Sequence, residues 1–219
     1  MTDFARLMSD YFVKYLAGQK GSGSNTMKTY RDTFVQLLEF MDEKKHIRAD
    51  CIEVDSFSYD IINEFLEYLE KEKRVSISTR NNRLAAIRSF FKYTGYHEPK
   101  YLNISTSIRE ISKKKTEGRQ MNYLSVNAME HFLNSFDKTD HKELRCFCIV
   151  LLLYESGARV TELCNVRRYD LHLEKPYTMI LHGKGDKIRS VPLDGLVADV
   201  ISNYIQKYRV DDNDFLFFN

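Results

Sequence analysis

Arg159 and Glu162 stand three residues apart in Ser156-Gly157-Ala158-Arg159-Val160-Thr161-Glu162-Leu163, directly after a long apolar run. On a helix this spacing puts both side chains on one face. Arginine stays charged and binds two oxygens at once. By itself the pair reads equally well as a surface ion pair of a helix, worth a few tenths of a kcal/mol. Further on, Gly183-Lys184-Gly185 lies between two segments of strand character, Tyr177 to Leu181 and Ile188 to Leu193. Together they predict a β-hairpin with a lysine at its turn. A nucleotide-binding glycine-lysine loop is excluded, because that loop joins a strand to a helix and needs a Ser or Thr after the lysine. The six histidines show no metal-ligand spacing, and the four cysteines show no zinc-type pairing. They predict no metal site, and the cysteines are expected to be buried, reduced thiols of a cytoplasmic protein.

A second group of residues suggests a polyanionic partner. From Lys73 to Arg119 there are twelve Lys/Arg against three acids, a net +9. The rest of the chain then carries −7, since the whole carries +2. Segregation of this kind fits either a nucleic-acid surface or a basic, solvated linker. Within the stretch, Asn81, Ala85, Arg88 and Lys92 recur at helical steps, flanked by Arg80 and Arg83. Amide and guanidinium groups around a small alanine would let a helix approach DNA closely.

The elements that must position these groups are mainly helical. The spacing predicts helices over Asp3–Ala17, from a cap at Ser24 or Asn25 through Met41, over Ser58–Lys71, and from Ser76 to Tyr93 with Gly95 as the stop. Ile111 to Met121 is polar and aperiodic, and residues 112–122 read as a linker between domains 1–111 and 123–219. Beyond it, Ser125 caps a helix with Ala128, Met129, Phe132 and Leu133 inward. Asp140 caps one through Glu155 that is apolar enough to be buried on most sides. A short helix begins near Arg159, and a last one runs from Asp194 to Tyr208. The final Phe215-Leu216-Phe217-Phe218-Asn219 is apolar with nothing after it to pack against. No apolar run approaches the ~18 residues of a membrane span.

The motif around Arg159, followed by His182-Gly-Lys-Gly-Asp-Lys187 and Ile-Arg-Ser-Val-Pro-Leu, resembles the tyrosine recombinases of the phage-integrase family, Xer-like site-specific recombinases among them. The first half, especially Ser78 to Tyr93, resembles their core-binding domain. The resemblance implies a mainly α fold: a four-helix, SAM-like core-binding domain, then part of a mixed α/β catalytic domain with a β-hairpin. It implies DNA integration or excision through a 3′-phosphotyrosyl intermediate, with no cofactor. Arg159 would then bind the scissile phosphate, Glu162 would orient Arg159, and Lys184 would give a proton to the leaving 5′ oxygen. Arg80, Asn81, Arg83, Arg88, Lys92, Lys113, Lys114, Lys115 and Lys187 would face double-stranded DNA. The full-length enzymes of the family act as tetramers on DNA.

The family also requires a His-x-x-Arg pair and, after it, the attacking tyrosine. None of the six histidines has arginine three places later, and none of the 14 tyrosines follows such a pair. Tyr204 and Tyr208 come too early in the order and read as packing residues. Two expectations therefore stand side by side. One is a truncated piece of a recombinase, expected to be monomeric and inactive by itself, and favoured by the apolar ending. The other is a non-catalytic DNA-binding protein derived from that fold.

Overall fold

The computed structural model describes residues 1–116, 118, 123–183, 185 and 187–217. It is mainly α, and the chain divides into two compact units, Met1–Arg119 and Gln120–Asn219. No described helix is long and apolar enough to cross a membrane.

Among the described residues the first unit packs five α-helices around an aromatic-rich core. Helix α1 (Asp3–Asp10) is capped by Thr2 and continues as a π-helical stretch, Tyr11–Gln19. Then come α2 (Ser24–Lys45), α3 (Tyr59–Lys71), α4 (Ile77–His97) and α5 (Leu102–Glu110). Ser58 and Ser76 cap α3 and α4 with their hydroxyls, at the points where the spacing starts these helices. The cap of α2 is Gly23, while Ser24 and Asn25 are already helical. Phe4, Tyr11, Phe34, Phe57, Phe90 and Phe91 are buried together, largely in edge-to-face contacts.

Gly95 does not stop α4. The helix runs on to His97 and ends where Pro99 forces the preceding Glu98 into extended backbone. Gly95 instead lets α5 approach, since a Cβ there would lie 2.7 Å from Cβ and Oγ of Ser105. Helix α5 has no counterpart among the four predicted helices. Nor is the start of the expected linker loose: Ile111 is buried, and Ser112 and Lys114 are hydrogen-bonded to α4 through their backbone.

The second unit comprises α6 (Val126–Asn134), α7 (His141–Ser156), α8 (Val160–Cys164), a three-stranded antiparallel sheet and α9 (Gly195–Tyr208). The strands β1 (Leu171–His172), β2 (Thr178–His182) and β3 (Ile188–Pro192) lie in that order, with Ile180 opposite Ser190 and His182 opposite Ile188. Met179 and Leu181 of β2 point into the core, while Ile180 and His182 point out.

Four expectations fail, mostly in this unit. Helix α7 fully buries only Phe147, Cys148 and Leu152, and α6 has no buried residue, its Phe132 being exposed. Of the free cysteines only Cys148 is buried, while Cys51, Cys146 and Cys164 are exposed. The apolar ending is packed at Leu216 and Phe217, while Phe215 stays 40% exposed. Leu216 is buried and donates its N–H to Val166 (2.8 Å), Phe217 lies 5.4 Å from Tyr204, and the Phe215 ring lies under Arg167. Phe218 and Asn219 lie outside the described residues. Tyr204 is buried and stacks on Tyr208, consistent with packing roles for both.

Candidate active site and nucleic-acid interface

The site is assembled at the start of α8. Gly157, in left-handed conformation (φ +58°), ends α7 and turns the chain. Arg159 follows in extended backbone as the N-cap of α8, and Glu162 is the third residue of that helix. Glu162 reaches back to accept the Arg159 backbone N–H at 2.9 Å and the Arg159 Nη1 at 2.7 Å.

A third group completes the cluster. Arg189 of β3 donates Nη1 to Glu162 Oε1 (3.0 Å) and Nη2 to Oε2 (2.6 Å). Each carboxylate oxygen thus takes two bonds, and the Glu162 side chain is only 4% exposed. Hydrogen bonding from Arg189, then from the Arg159 backbone N–H, outweighs burial and lowers the carboxyl pKa to about 2. The pair expected on a helix surface is therefore anchored in a buried, charged hub. Arg159 keeps 74% of its side chain exposed, so most of its five donors face solvent, available to an anion.

The lysine hairpin is fastened to the same hub. A Cβ on Gly183 would come within 3.2 Å of both Glu162 Oε1 and the Lys187 carbonyl, so only glycine fits without displacement. Gly183 N–H donates to the Lys187 carbonyl at 2.7 Å, and Gly185 takes φ +74°. Lys184 lies outside the described residues; Lys187 is exposed. On the other side of β2, His182 Nε2 lies 3.1 Å from Oδ1 of buried Asp170, whose Oδ2 accepts the Arg167 backbone N–H at 2.8 Å.

The expected DNA-facing residues of the first unit divide in two. Arg80 is not available at the surface: it is 5% exposed, with Nε 3.2 Å from Glu70 Oε1 and Nη1 donating to the Ser112 carbonyl. Its reach turns inward because α3 offers a carboxylate there. Asn81 bonds the Lys114 backbone from both ends of its amide, and Lys114 Nζ pairs with Glu70 at 2.9 Å. Arg83 ties α4 to α2 through the Thr29 carbonyl and the Thr33 hydroxyl. Arg88 donates Nε to the Arg109 carbonyl, 2.9 Å away. Lys92, Lys113 and Lys115 are exposed. Ala85, Arg88 and Lys92 line a groove of about 630 Å³ with Tyr15, Tyr30, Lys20 and Arg109.

Sequence reasoning missed Arg189, Asp170 and the packing role of α5. Only strand alternation, which sets Arg189 on the same face as Lys187, offered a signal for the first of these.

Residues 122–219 match the model of the Phage integrase family, and residues 10–99 that of the phage integrase N-terminal SAM-like domain. The tyrosine recombinase XerD of Listeria innocua is 30% identical over 224 residues, covering 96% of this chain and 70% of that protein. A proposed integrase/recombinase of Sinorhizobium fredii is 27% identical, and this chain spans 64% of its length. Two solved structures share the fold. One is the XerH site-specific recombinase bound to difH DNA (TM-score 0.68, 22% identity, 96% of this chain and 61% of that one). The other is the Tn1549 transposon integrase with transposon right-end DNA (TM-score 0.69, 19% identity, all of this chain and 71% of that one). With both halves matched in order by the domains of one family, the chain belongs to the tyrosine recombinases, the phage integrase family.

Proposed function

We propose that the protein acts in site-specific DNA recombination, integration or excision, with double-stranded DNA as substrate and partner. In this reading residues 1–111 are the core-binding domain, residues 112–122 are the connection, and 123–219 form part of the catalytic domain. Arg159 stabilises the charge that builds on the nonbridging oxygens during attack on phosphorus. Glu162 holds Arg159 in place, and Lys184 protonates the 5′ oxygen as its bond to phosphorus breaks. The attacking tyrosine, which would carry the 3′-phosphate, is assigned to none of the 14 in this chain. Assembly as a homotetramer on DNA and a cytoplasmic location belong to the same reading.

The observation that carries it is Arg159: a guanidinium held at its base by a buried carboxylate yet 74% exposed. Lys92, Lys113, Lys115 and Lys187 are the DNA contacts favoured by exposure, and Arg88, half-buried and bonded to the Arg109 carbonyl, lines the groove beside Lys92. Arg80, Asn81, Arg83 and Lys114 act first on the protein, holding residues 112–114 and α2 to α4.

The test is duplex-DNA affinity measured across a salt series. The logarithm of affinity should fall linearly with that of salt, and Arg159→Ala should reduce the slope by about one. Binding that is absent or indifferent to salt would overturn the reading.

A further inference from the structure

We propose that Arg189 is a positioning residue: through Glu162 it fixes the base of the lysine-bearing hairpin against the N-terminus of α8, where Arg159 is presented. The inference rests on the recombinase reading for its consequence, but its geometry stands without DNA.

Three observations support it. The Arg189 fork engages both Glu162 oxygens, at 3.0 and 2.6 Å, and each of those oxygens is also bonded by Arg159. One carboxylate is therefore shared between helix and hairpin, and neither can shift without moving it. Second, Arg189 immediately follows Ile188, which closes the β2–β3 ladder opposite His182. The clamp thus acts where the turn begins, and Gly183 is crowded against Glu162 Oε1 at the same point. Third, the opposite edge of the hairpin base is held by a second buried carboxylate, Asp170, through His182. The base of the hairpin is therefore gripped from two sides, by Glu162 through Arg189 and by Asp170 through His182.

An ion pair needed only for stability would be satisfied by one arginine. Here Arg189 takes both oxygens, and Arg159 is left with most of its donors directed outward. The planar fork matters, because a lysine offers a point charge and cannot reproduce two parallel bonds.

The test uses the whole 219-residue chain and the variants Arg189→Gln, Arg189→Lys and Glu162→Gln. Without DNA, Arg189→Gln should raise the Glu162 carboxyl titration, followed by ¹³C NMR, by about one pH unit or more. It should also speed amide exchange at Gly183 about tenfold while exchange at Val210 and Leu216 stays within about twofold. Arg189→Lys should recover part of the titration shift but not the Gly183 protection. With mixed-sequence duplex DNA, Lys184 of the wild type should be protected from acetylation. Arg189→Gln should lose that protection and keep it at Lys113 and Lys115.

Unchanged exchange at Gly183 in Arg189→Gln overturns the proposal. So does equal acceleration at Val210 and Leu216, which would reduce Arg189 to a stability contact. If Arg189→Gln does not fold, Glu162→Gln decides the matter by the same local acceleration at Gly183. DNA that protects no lysine of the wild type would sink the recombinase reading instead, with the clamp still decided by the DNA-free measurements.

Discussion

Arg189 and Glu162 meet fork to fork, Nη1 to Oε1 and Nη2 to Oε2, across 27 residues of sequence. The contact joins a strand to a short helix that has too few turns to hold its own orientation. It also fixes the electrostatics of the site: two arginines and one carboxylate, with the surplus positive charge on exposed Arg159.

Glu162 gives this unit a specific acid sensitivity. Its carboxyl is lowered from 4.5 to about 2 in the folded protein. A depressed carboxylate contributes stability above its unfolded pKa and loses it as pH falls toward the folded one. Urea midpoints of the wild type should therefore drop between about pH 4.5 and about pH 2 more steeply than those of Glu162→Gln. Parallel profiles over that window would show that the hub does not form in solution.

The two hairpin glycines should differ in how they fail. In Gly183→Ala the new Cβ presses on Glu162 and the Lys187 carbonyl, each 3.2 Å away. A cost of about 1 kcal/mol and a raised Glu162 titration are expected. Gly185→Ala meets no neighbour but must adopt φ +74°, for a similar cost of about 1 kcal/mol with Glu162 unaffected. Carboxyl titration of the two variants by ¹³C NMR separates crowding from backbone strain.

The close approach of α4 and α5 gives a cleaner packing test. Gly95→Ala would place a Cβ 2.7 Å from Ser105, and overpacking at a buried helix contact costs about 1–3 kcal/mol. The partner is small, so Ser105→Gly in the same chain should restore most of the loss. Urea unfolding of the four proteins gives the coupling energy directly, and additive losses would show that these two residues are not in contact.

Much of this arrangement was legible in the sequence because it depends on local signals. Serine and aspartate caps set the starts of α3, α4, α7 and α9, and Gly157 sets the end of α7. The order of the Arg159 motif and the lysine hairpin follows the chain directly. The errors came where distant residues decide. Gly95 carries the composition of a helix stop, and only the presence of α5 explains it as a contact. Arg80 has the spacing of a surface contact, yet Glu70 on α3 draws it inward. Phe215 to Phe217 looked unpartnered because their partners, Arg167, Val166 and Tyr204, are on other elements. Arg189 was missed for the same reason, since nothing near it in sequence requires a carboxylate.

Arg80 and Lys113 should respond oppositely to substitution, although both lie in the same basic stretch. Arg80→Met leaves Glu70 with Lys114 alone and frees the Ser112 carbonyl from its donor. Glu70 is part-exposed and keeps Lys114, so the loss is mainly that of the Ser112 carbonyl's donor, about 1–3 kcal/mol, and the first unit should unfold at lower urea. Lys113 is exposed and makes no ion pair among the described residues, so Lys113→Ala should leave the urea midpoint in place. It should instead weaken duplex binding uniformly across sequences and lower the salt slope by about one. Paired measurement of unfolding and salt-dependent binding on both variants separates the two roles. A stable Arg80→Met with a reduced salt slope would return Arg80 to the DNA surface, where its charge and spacing first suggested it.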